Sequence, residues 1–215
     1  MFLRTGSRYF QLDFCRGVRE ECRFGLAGHC GLIEDLTDFV CGFDFVELIG
    51  EDQKVSHHRK LKMEISGCPN ACSQPQIKDV GIIAERMPGE IRQSCSRCGK
   101  CVSVCREEAV AGTESMPVID RARCVGCGLC VNRCLEKAIA PGSLRYRILA
   151  GGRMGRHPRF AEYLCTIEKD SLVSFIGGIL VFTKQYMPEK WRFADLIERN
   201  GLKEFKESIS NVQVK

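Results

Sequence analysis

Residues 60–76 read KLKMEISGCPNACSQPQ, a short alternating stretch that leads into two closely spaced cysteines. Between residues 61 and 65, apolar side chains alternate with charged ones, and this period of two predicts a strand with one buried face. The alternation ends before Gly67, and Cys68 and Cys72 follow that glycine closely. Clustered cysteines in a chain without signs of secretion favour metal ligation over disulfide bonds. We therefore interpret this stretch as part of a metal-binding site.

Downstream of this stretch, the spacing C-x2-C-x2-C-x3-C occurs twice, and the two runs start 29 residues apart. Two-residue gaps let three thiolates in one loop wrap around a 4Fe-4S cubane, while the fourth thiolate points at the other cluster. The runs therefore predict two clusters that exchange their fourth ligands. The predicted ligands are Cys95, Cys98, Cys101 and Cys134 for one cluster, and Cys124, Cys127, Cys130 and Cys105 for the other.

The two runs resemble the bacterial two-cluster ferredoxin over about fifty residues. Arg106 and Leu135 stand where that family usually has a proline after the fourth cysteine, but proline supplies no ligand. A pair of zinc sites is the alternative, although zinc sites usually pair two C-x2-C units across a longer loop. We expect a ferredoxin-like domain with two 4Fe-4S clusters in residues 89–142, which we call the repeat region.

The composition is typical of a redox protein rather than a secreted or nucleic-acid-binding one. The chain has 215 residues, and its 15 cysteines are far above ordinary usage. Its start, Met1 to Arg4, leads into polar sequence without the apolar core of a signal peptide, so we expect a cytoplasmic protein. The most apolar run, Leu172 to Thr183, is shorter than the ~20 residues that a membrane span needs. Anionic clusters would offset the formal charge of +5, so we expect no nucleic-acid partner.

The stretch quoted first resembles the second half of the sirohaem-type sulfite and nitrite reductases. Their motif is a lysine-x-lysine strand followed by glycine-cysteine-x-asparagine-x-cysteine, and the likeness continues through residues 77–81 and 152–158. Some anaerobic members of that family carry a two-cluster ferredoxin insert directly after this strand. The resemblance implies an α+β fold with a mixed sheet and flanking helices. In it, a reductase-like half-domain of residues 1–88 and 143–215 is interrupted by the repeat region.

In that family, two cysteine pairs bind a 4Fe-4S cubane, and the last cysteine also bridges to the sirohaem iron. The resemblance implies that Cys68 and Cys72 are ligands, that Cys72 is the bridge, and that Cys15 and Cys22 form the earlier pair. Six residues separate Cys15 from Cys22 where the family has five, so Cys30 stays open as a substitute for Cys15. A set of buried structural thiols is the alternative for the whole group.

Cationic side chains are the candidates for substrate and cofactor binding. In the family, lysines such as Lys60 and Lys62 bind the sulfite or nitrite anion and help to deliver protons, which implies a catalytic role for them here. Arg153 and Arg156 lie in a basic, glycine-rich stretch, and arginine pairs well with the carboxylates of sirohaem. The alternatives are a solvated strand face for the lysines and a plain basic surface, suited to an acidic partner, for the arginines.

The resemblance implies an anaerobic iron–sulfur oxidoreductase that reduces sulfite to sulfide, with nitrite as the other substrate. Electrons from a low-potential donor would pass from the ferredoxin-type clusters to the cluster coupled to sirohaem. An isolated half-domain would leave the haem exposed, so we expect a homo-oligomer or a second subunit to complete the pocket. The alternative class is a non-catalytic electron-transfer protein that lacks sirohaem.

Patterning elsewhere predicts the remaining elements. Met87-Pro88-Gly89 is predicted to break the chain at a domain boundary. Cys41 and Cys165 sit in apolar surroundings and are predicted to be core residues. The other predicted elements are strands within residues 9–14, 79–84 and 144–150, helices over residues 31–40 and 171–183, and a helix that starts at Pro188 and ends at Gly201.

Overall fold

The computed structural model describes residues 3–6, 10–19, 21–43, 60–112, 116–186 and 192–210. The strands are β1 (Leu3–Gly6), β2 (Phe10–Phe14), β3 (Leu61–Ser66), β4 (Val80–Glu85), β5 (Pro88–Ile91), β6 (Val110–Ala111), β7 (Val118–Ile119), β8 (Ile139–Pro141), β9 (Arg145–Ala150) and β10 (Glu162–Glu168). The helices are α1 (Leu32–Gly42), α2 (Lys100–Val104), α3 (Leu129–Arg133), α4 (Leu172–Tyr186), α5 (Phe193–Asn200) and α6 (Leu202–Ser210). Within these ranges, no helix is both long and apolar enough to cross a membrane.

Six of the strands form one mixed sheet in the order β1-β2-β3-β4-β9-β10. The three strands β2, β3 and β4 run parallel to one another, and the remaining neighbours pair antiparallel. This mixed sheet, with helices packed on it, confirms the predicted α+β fold. Because the carboxyl ends of parallel strands meet at one edge of a sheet, the loops that follow β2 and β3 leave from the same edge.

One face of the sheet is apolar and carries the core. Partners in register point to the same side, so Phe14, Ile65, Ile82 and Ile148 form a row across β2, β3, β4 and β9. All four side chains are buried, and the helices α1, α4, α5 and α6 contribute to the same hydrophobic cluster. This alternation explains why residues 61–65 have a period of two in the sequence.

The opposite face of the sheet is polar, yet it is also covered. Asp13 and Glu64 are partners across β2 and β3, and both are buried. Lys78 lies between them, with its Nζ 3.1 Å from an Asp13 carboxylate oxygen and 3.3 Å from a Glu64 one. Ala71 packs on Ile83 of the same face. The loop that carries Cys68 and Cys72 therefore covers the polar face and separates it from solvent.

The repeat region leaves the sheet after β4 and returns at β9. At its base, β5 pairs with β8 through Pro88 and Pro141, and the amide of Gly142 donates to the carbonyl of Met87 at 3.0 Å. At the break predicted for Met87-Pro88-Gly89, the chain leaves the six-stranded sheet: β4 ends at Glu85, and β5, which belongs to a different sheet, begins at Pro88. Proline is tolerated at the first residue of a strand, where its missing N–H costs no ladder bond.

The structure contains elements that the sequence did not predict, among them β1, β10 and α6, and it corrects two other predictions. β10 is an edge strand with a bulge between Tyr163 and Cys165, and the bulge breaks the period of two that would identify it. Helix α4 runs to Tyr186, three residues beyond its predicted end. Cys41 is exposed rather than in the core, because it follows Val40 and turns off the buried stripe of α1. The predicted helix start at Pro188 lies outside the described residues.

Candidate metal centres and the adjoining cleft

Cys15, Cys22, Cys68 and Cys72 come together at one edge of the sheet, and we call these four cysteines the split group. Cys15 directly follows β2, and its amide donates to the carbonyl of Ile65 at 3.0 Å. Cys68 and Cys72 lie in the loop after β3, which runs parallel to β2. Cys22 belongs to the loop that continues from Cys15. The parallel pairing of two strands therefore brings together cysteines that are 53 residues apart in the sequence.

Electrostatics are consistent with this grouping. Burial raises the pKa of the Cys68 thiol, the amide of Asn70 offsets part of this effect, and the neighbouring thiols of Cys15, Cys22 and Cys72 raise the pKa further. Each of these thiols thus lies close enough to Cys68 to disfavour its negative charge. Cys68 is buried, whereas Cys72 is exposed.

The sulfur of Cys15 accepts two hydrogen bonds from backbone amides. The amides of Gly67 and Gly17 donate to Cys15 Sγ at 3.1 and 3.3 Å, respectively. Such N–H···S hydrogen bonds stabilise thiolate ligands and tune cluster potentials. Cys30, the alternative, is exposed, and its carbonyl accepts a hydrogen bond from Lys169 Nζ at 3.3 Å.

Glycines make this site compact enough to gather the thiols. A Cβ on Gly67 would lie 2.3 Å from the carbonyl carbon of Gly17, and a Cβ on Gly25 would lie 2.8 Å from the carbonyl oxygen of Gly17. Only glycine permits backbones to approach this closely. His29 connects the Gly67 loop to the sheet, with Nδ1 2.8 Å from Tyr146 Oη and Nε2 3.4 Å from the carbonyl oxygen of Gly67.

The repeat region contains two similar cavities, and each is lined by four cysteines. The first cavity is lined by Cys95, Cys98, Cys101 and Cys134, and the second by Cys105, Cys124, Cys127 and Cys130. Each cavity thus takes three cysteines from one run and the fourth from the other. The two fourth cysteines have matching contacts, because the amides of Ala109 and Ala138 donate to the sulfurs of Cys105 and Cys134 at 3.2 Å each.

The surroundings of these thiols differ in polarity. Burial raises the pKa of Cys130 to about 11, and the nearby thiols of Cys124, Cys127 and Cys105 add to this shift. In the first run, the amide of Lys100 donates to the exposed Cys98 and lowers its pKa. The corresponding thiols Cys101 and Cys130 are both buried, whereas Cys98 is exposed and its counterpart Cys127 is half-buried.

The second run lies directly against the loop of the split group. The amide of Arg86 donates to the carbonyl of Gly126 at 2.8 Å, and its guanidinium Nη2 donates to the carbonyl of Ala27 at 2.7 Å. The amide of Leu26 donates to the carbonyl of Gly67 at 2.9 Å, and the Leu26 side chain would lie 3.0 Å from a Cβ on Gly128. Arg86 and Leu26 thus join the two cysteine-bearing loops, a connection that no sequence motif indicates.

The donor sets fit iron–sulfur cubanes chemically. Each group offers four thiols, and the contacts described above supply N–H donors to sulfur and glycines at points of close approach. In the described part of the chain, no group of three or more His, Cys, Asp or Glu side chains is arranged to hold a single metal ion.

A cleft of about 740 Å³ lies beside β3, within the usual size range of ligand pockets. It is lined by Lys62, Arg153, Met154, Gly155, Arg156, His157, Arg192 and Asp195. Lys60 lies just before β3 and is not among the described residues that line the cleft. The structure therefore brings one of the two predicted lysines into the cleft together with both predicted arginines.

The two predicted arginines in the cleft, Arg153 and Arg156, differ in their partners. Arg153 Nη1 lies 2.6 Å from a carboxylate oxygen of Asp195 and 3.3 Å from one of Glu198. Arg156 is exposed at the tip of a hairpin that closes where Arg153 and Arg159 pair through their backbones. Arg153 is thus partly neutralised within the protein, and Arg156 presents its charge at the surface.

Asp79 is a buried residue beside the cleft that sequence analysis missed. Its carboxylate accepts a hydrogen bond from the amide of Lys62 at 2.8 Å. Burial raises the pKa of Asp79 to about 7, although the amides of Lys62 and Ala194 and the charges of Lys62 and Arg192 oppose this shift. Asp79 therefore ties the start of β3 to the start of α5. In the sequence, the only indication of this residue is a single aspartate at the start of a predicted strand.

Asp79→Asn is expected to change how stability depends on pH. As pH rises from ~4 to about 7, the unfolded chain releases this proton and the folded chain keeps it, so Asp79 destabilises the fold by up to about 1.4 kcal/mol per pH unit. Asparagine removes this term. The Tm of the variant relative to wild type should therefore rise between about pH 4.5 and about pH 7 and level off above that, measured under anaerobic conditions. The exposed Asp170→Asn is the control, and a Tm difference for Asp79→Asn that stays constant with pH would contradict the assignment.

Thiols gathered in groups of four on an α+β scaffold define the class of iron–sulfur redox proteins. The chain belongs to the nitrite and sulphite reductase family, because the sequence model of the nitrite and sulphite reductase 4Fe-4S domain matches residues 20–215. An iron–sulfur cofactor follows from this membership, because the matching model describes a 4Fe-4S domain.

Two curated relatives and one solved structure are similar to parts or all of the chain. It is 37% identical over 158 residues to the coenzyme F420-dependent sulfite reductase of Methanocaldococcus jannaschii, covering 73% of this chain and 26% of that protein. It is 31% identical over 159 residues to one subunit of the anaerobic sulfite reductase of Salmonella typhimurium, covering 69% and 47%, respectively. The crystal structure of dissimilatory sulfite reductase I shares the fold, with a TM-score of 0.60 at 16% identity over 99% of this chain and 55% of that one. The chain thus spans about a quarter of the first relative and about half of the second.

Proposed function

We propose that this chain is the cluster-bearing, substrate-binding part of a sirohaem-dependent sulfite reductase. The observation that carries the proposal is the position of Cys15, Cys22, Cys68 and Cys72 in the loops that follow the parallel strands β2 and β3. Strand β3 also carries Lys62 into the cationic cleft. A metal centre and an anion site would therefore share one rigid element. The two curated relatives are both named as sulfite reductases, which favours sulfite over nitrite.

Three 4Fe-4S clusters are the cofactors that the cysteines support. In the repeat region, the exchange of Cys105 and Cys134 between the two cavities supports two clusters of the ferredoxin type. For the third cluster, the two amide donors to Cys15 favour it as the fourth ligand over the exposed Cys30. The base formed by β5 and β8 supports the assignment of residues 89–142 as a ferredoxin-like domain.

Sirohaem coupled through Cys72 would supply the six-electron chemistry of HSO3− + 6e− + 6H+ → HS− + 3H2O. Lys62 contributes a cationic donor that binds the oxyanion and delivers protons, and Lys60 is proposed as a second such donor. Arg156 offers a guanidinium for the carboxylates of the cofactor. Arg153 does so to a smaller extent, because Asp195 and Glu198 already share its charge.

The proposed reductase needs two kinds of partner. A low-potential electron donor must supply the electrons, one reaction consuming six of them. The cleft is open to solvent, and a second copy of the chain or another subunit would close it around the cofactor. Closure excludes water and strengthens the electrostatic contacts of Lys62 with the anion.

A non-catalytic electron-transfer protein without sirohaem is the second candidate. The observation that favours it is the pairing of Arg153 with Asp195 and Glu198, because it neutralises part of the positive charge that the cofactor's carboxylates require. In this case, the three clusters would relay electrons to another protein, and the cleft would not turn over sulfite.

One preparation distinguishes the two candidates. The full chain is purified anaerobically, its visible spectrum is recorded, and tetrapyrrole is extracted and quantified per chain. A sulfite reductase should yield about one tetrapyrrole per active unit and consume sulfite with a reduced dye as donor. About twelve irons per chain without haem bands or sulfite consumption would overturn the reductase assignment and support the electron-transfer protein.

Lys62→Met is expected to lower kcat/KM for sulfite by about 100-fold or more, because one cationic donor in a preorganised site contributes roughly 10²–10³ to the rate. Methionine keeps the length and apolar stem of the side chain, and the amide of residue 62 still donates to Asp79. Iron and tetrapyrrole contents should therefore stay at wild-type levels. Lys203→Met, on the exposed side of α6, is the matched control. Equal kcat/KM in both variants would remove Lys62 from the anion site.

A further inference from the structure

The two cysteine runs are internal repeats, so the residues at corresponding positions of the two runs can be compared directly. At the third position of the runs, Arg97 and Gly126 have the same left-handed backbone, with φ of 55° and 69°. At the sixth position, Lys100 in the first run corresponds to Leu129 in the second. The runs therefore share their backbone geometry and differ in the side chains they place on it.

The two glycines of the second run are explained by packing. A Cβ on Gly126 would lie 3.0 Å from the amide nitrogen of Arg86 and 3.2 Å from Met87 Sδ, so this position has room for glycine only. Gly128 faces Leu26 in the same way. The second run is thus the one that faces the split group and the sheet.

The corresponding side chains of the first run face solvent instead. Residues 96–100 are all exposed, and among them are two cations, Arg97 and Lys100. A left-handed conformation costs a non-glycine residue roughly 1–2 kcal/mol, whereas glycine adopts it freely. The fold therefore carries a penalty to place a guanidinium beside Cys98. Arg92 is exposed three residues before this run, and Glu136, which lines the same cavity, is followed in the sequence by the exposed Lys137.

We propose that Arg92, Arg97 and Lys100 form a docking surface for a small acidic electron-donor protein of the ferredoxin type. The proposal rests on the proposed function, in which the cysteines of the first run hold a metal centre. Charge complementarity selects this partner, because cations around an exposed Cys98 attract an anionic surface and orient it toward the thiol. The second run is more buried than the first and is joined to the split group through Arg86. It therefore forms the inward-facing side of the repeat region.

Binding is measured with the full, cluster-loaded chain and a purified acidic plant-type ferredoxin as the probe, by calorimetry at low and high salt. The Arg97→Glu/Lys100→Glu double variant is expected to bind at least tenfold more weakly than wild type, and affinity of the wild type should fall steeply with salt. Arg97→Gly is expected to weaken binding less, and because it relieves the left-handed strain, its loss of affinity does not come from misfolding. Lys203→Glu, a charge reversal on α6, should bind like wild type.

Two results would overturn the docking surface. One is a double variant that binds as tightly as Lys203→Glu, and the other is wild-type protein that binds the acidic ferredoxin no better than a basic cytochrome of similar size. Iron content and dye-driven sulfite consumption are measured on the same samples. A reduced dye does not need a protein docking surface, so failure of the docking proposal and failure of the reductase proposal give separate readouts.

Discussion

Cys15→Ala is expected to abolish one of the three proposed clusters and lower the iron content from about twelve to about eight per chain, four irons being lost with one cubane. The thiol of Cys15 is one of the three that act on Cys68, and its sulfur is the acceptor for two backbone amides. Alanine removes the ligand and leaves the amides of Gly17 and Gly67 without their acceptor, which costs about 1–3 kcal/mol for each buried donor. Cluster binding also stabilises the fold, so the Tm should fall as well.

Cys30→Ala is the matched control, because the same chemical change is made at the competing cysteine. Cys30 is exposed and contributes only its carbonyl to a hydrogen bond with Lys169, which alanine retains. Iron content, labile sulfide and the electron paramagnetic resonance spectrum of the reduced protein are measured for both variants after anaerobic purification. Full iron content in Cys15→Ala together with loss of four irons in Cys30→Ala would reverse the assignment.

The motif spacing and the family resemblance predicted those parts of the site that depend on local sequence. The four thiols of each run lie within eleven residues, so their exchange between two cavities could be predicted from known ferredoxin geometry. Strand β3 could also be predicted from the sequence, because its side chains alternate between the apolar and the polar face. The family assignment followed from the same stretch and is confirmed by the match over residues 20–215.

Contacts between distant segments could not be predicted in this way. Leu26 contacts Gly67 and Gly128, and Arg86 joins Ala27 to Gly126, but neither residue belongs to a motif. Each contact depends on how the loops pack after the sheet has formed, and periodicity carries no information about this. The same reason applies to Asp79, whose burial results from the approach of α5 and not from its sequence neighbours.

Gly67→Ala is expected to destabilise the protein by roughly 3 kcal/mol, the upper range for overpacking, and thus to lower the Tm by about 10 °C. The added Cβ would lie 2.3 Å from the carbonyl carbon of Gly17 and 2.5 Å from the amide nitrogen of Val18. These atoms belong to backbone, so relief requires a shift of the loop as a whole. Because the amide of Gly67 donates to Cys15 Sγ, that shift also displaces a ligand. We therefore expect the third cluster to be lost together with stability.

Gly42→Ala separates this steric effect from the general effect of replacing glycine. Gly42 is the last residue of α1, and nothing lies within 4 Å of a Cβ built on it. Alanine there is expected to leave iron content unchanged and to stabilise the helix by about 0.5–1 kcal/mol. Tm and iron per chain are measured for both variants under anaerobic conditions. If Gly67→Ala kept about twelve irons and the Tm of wild type, the close contact between the Gly17 and Gly67 backbones would not be needed to hold the cluster ligands, and the role assigned to this glycine would be wrong.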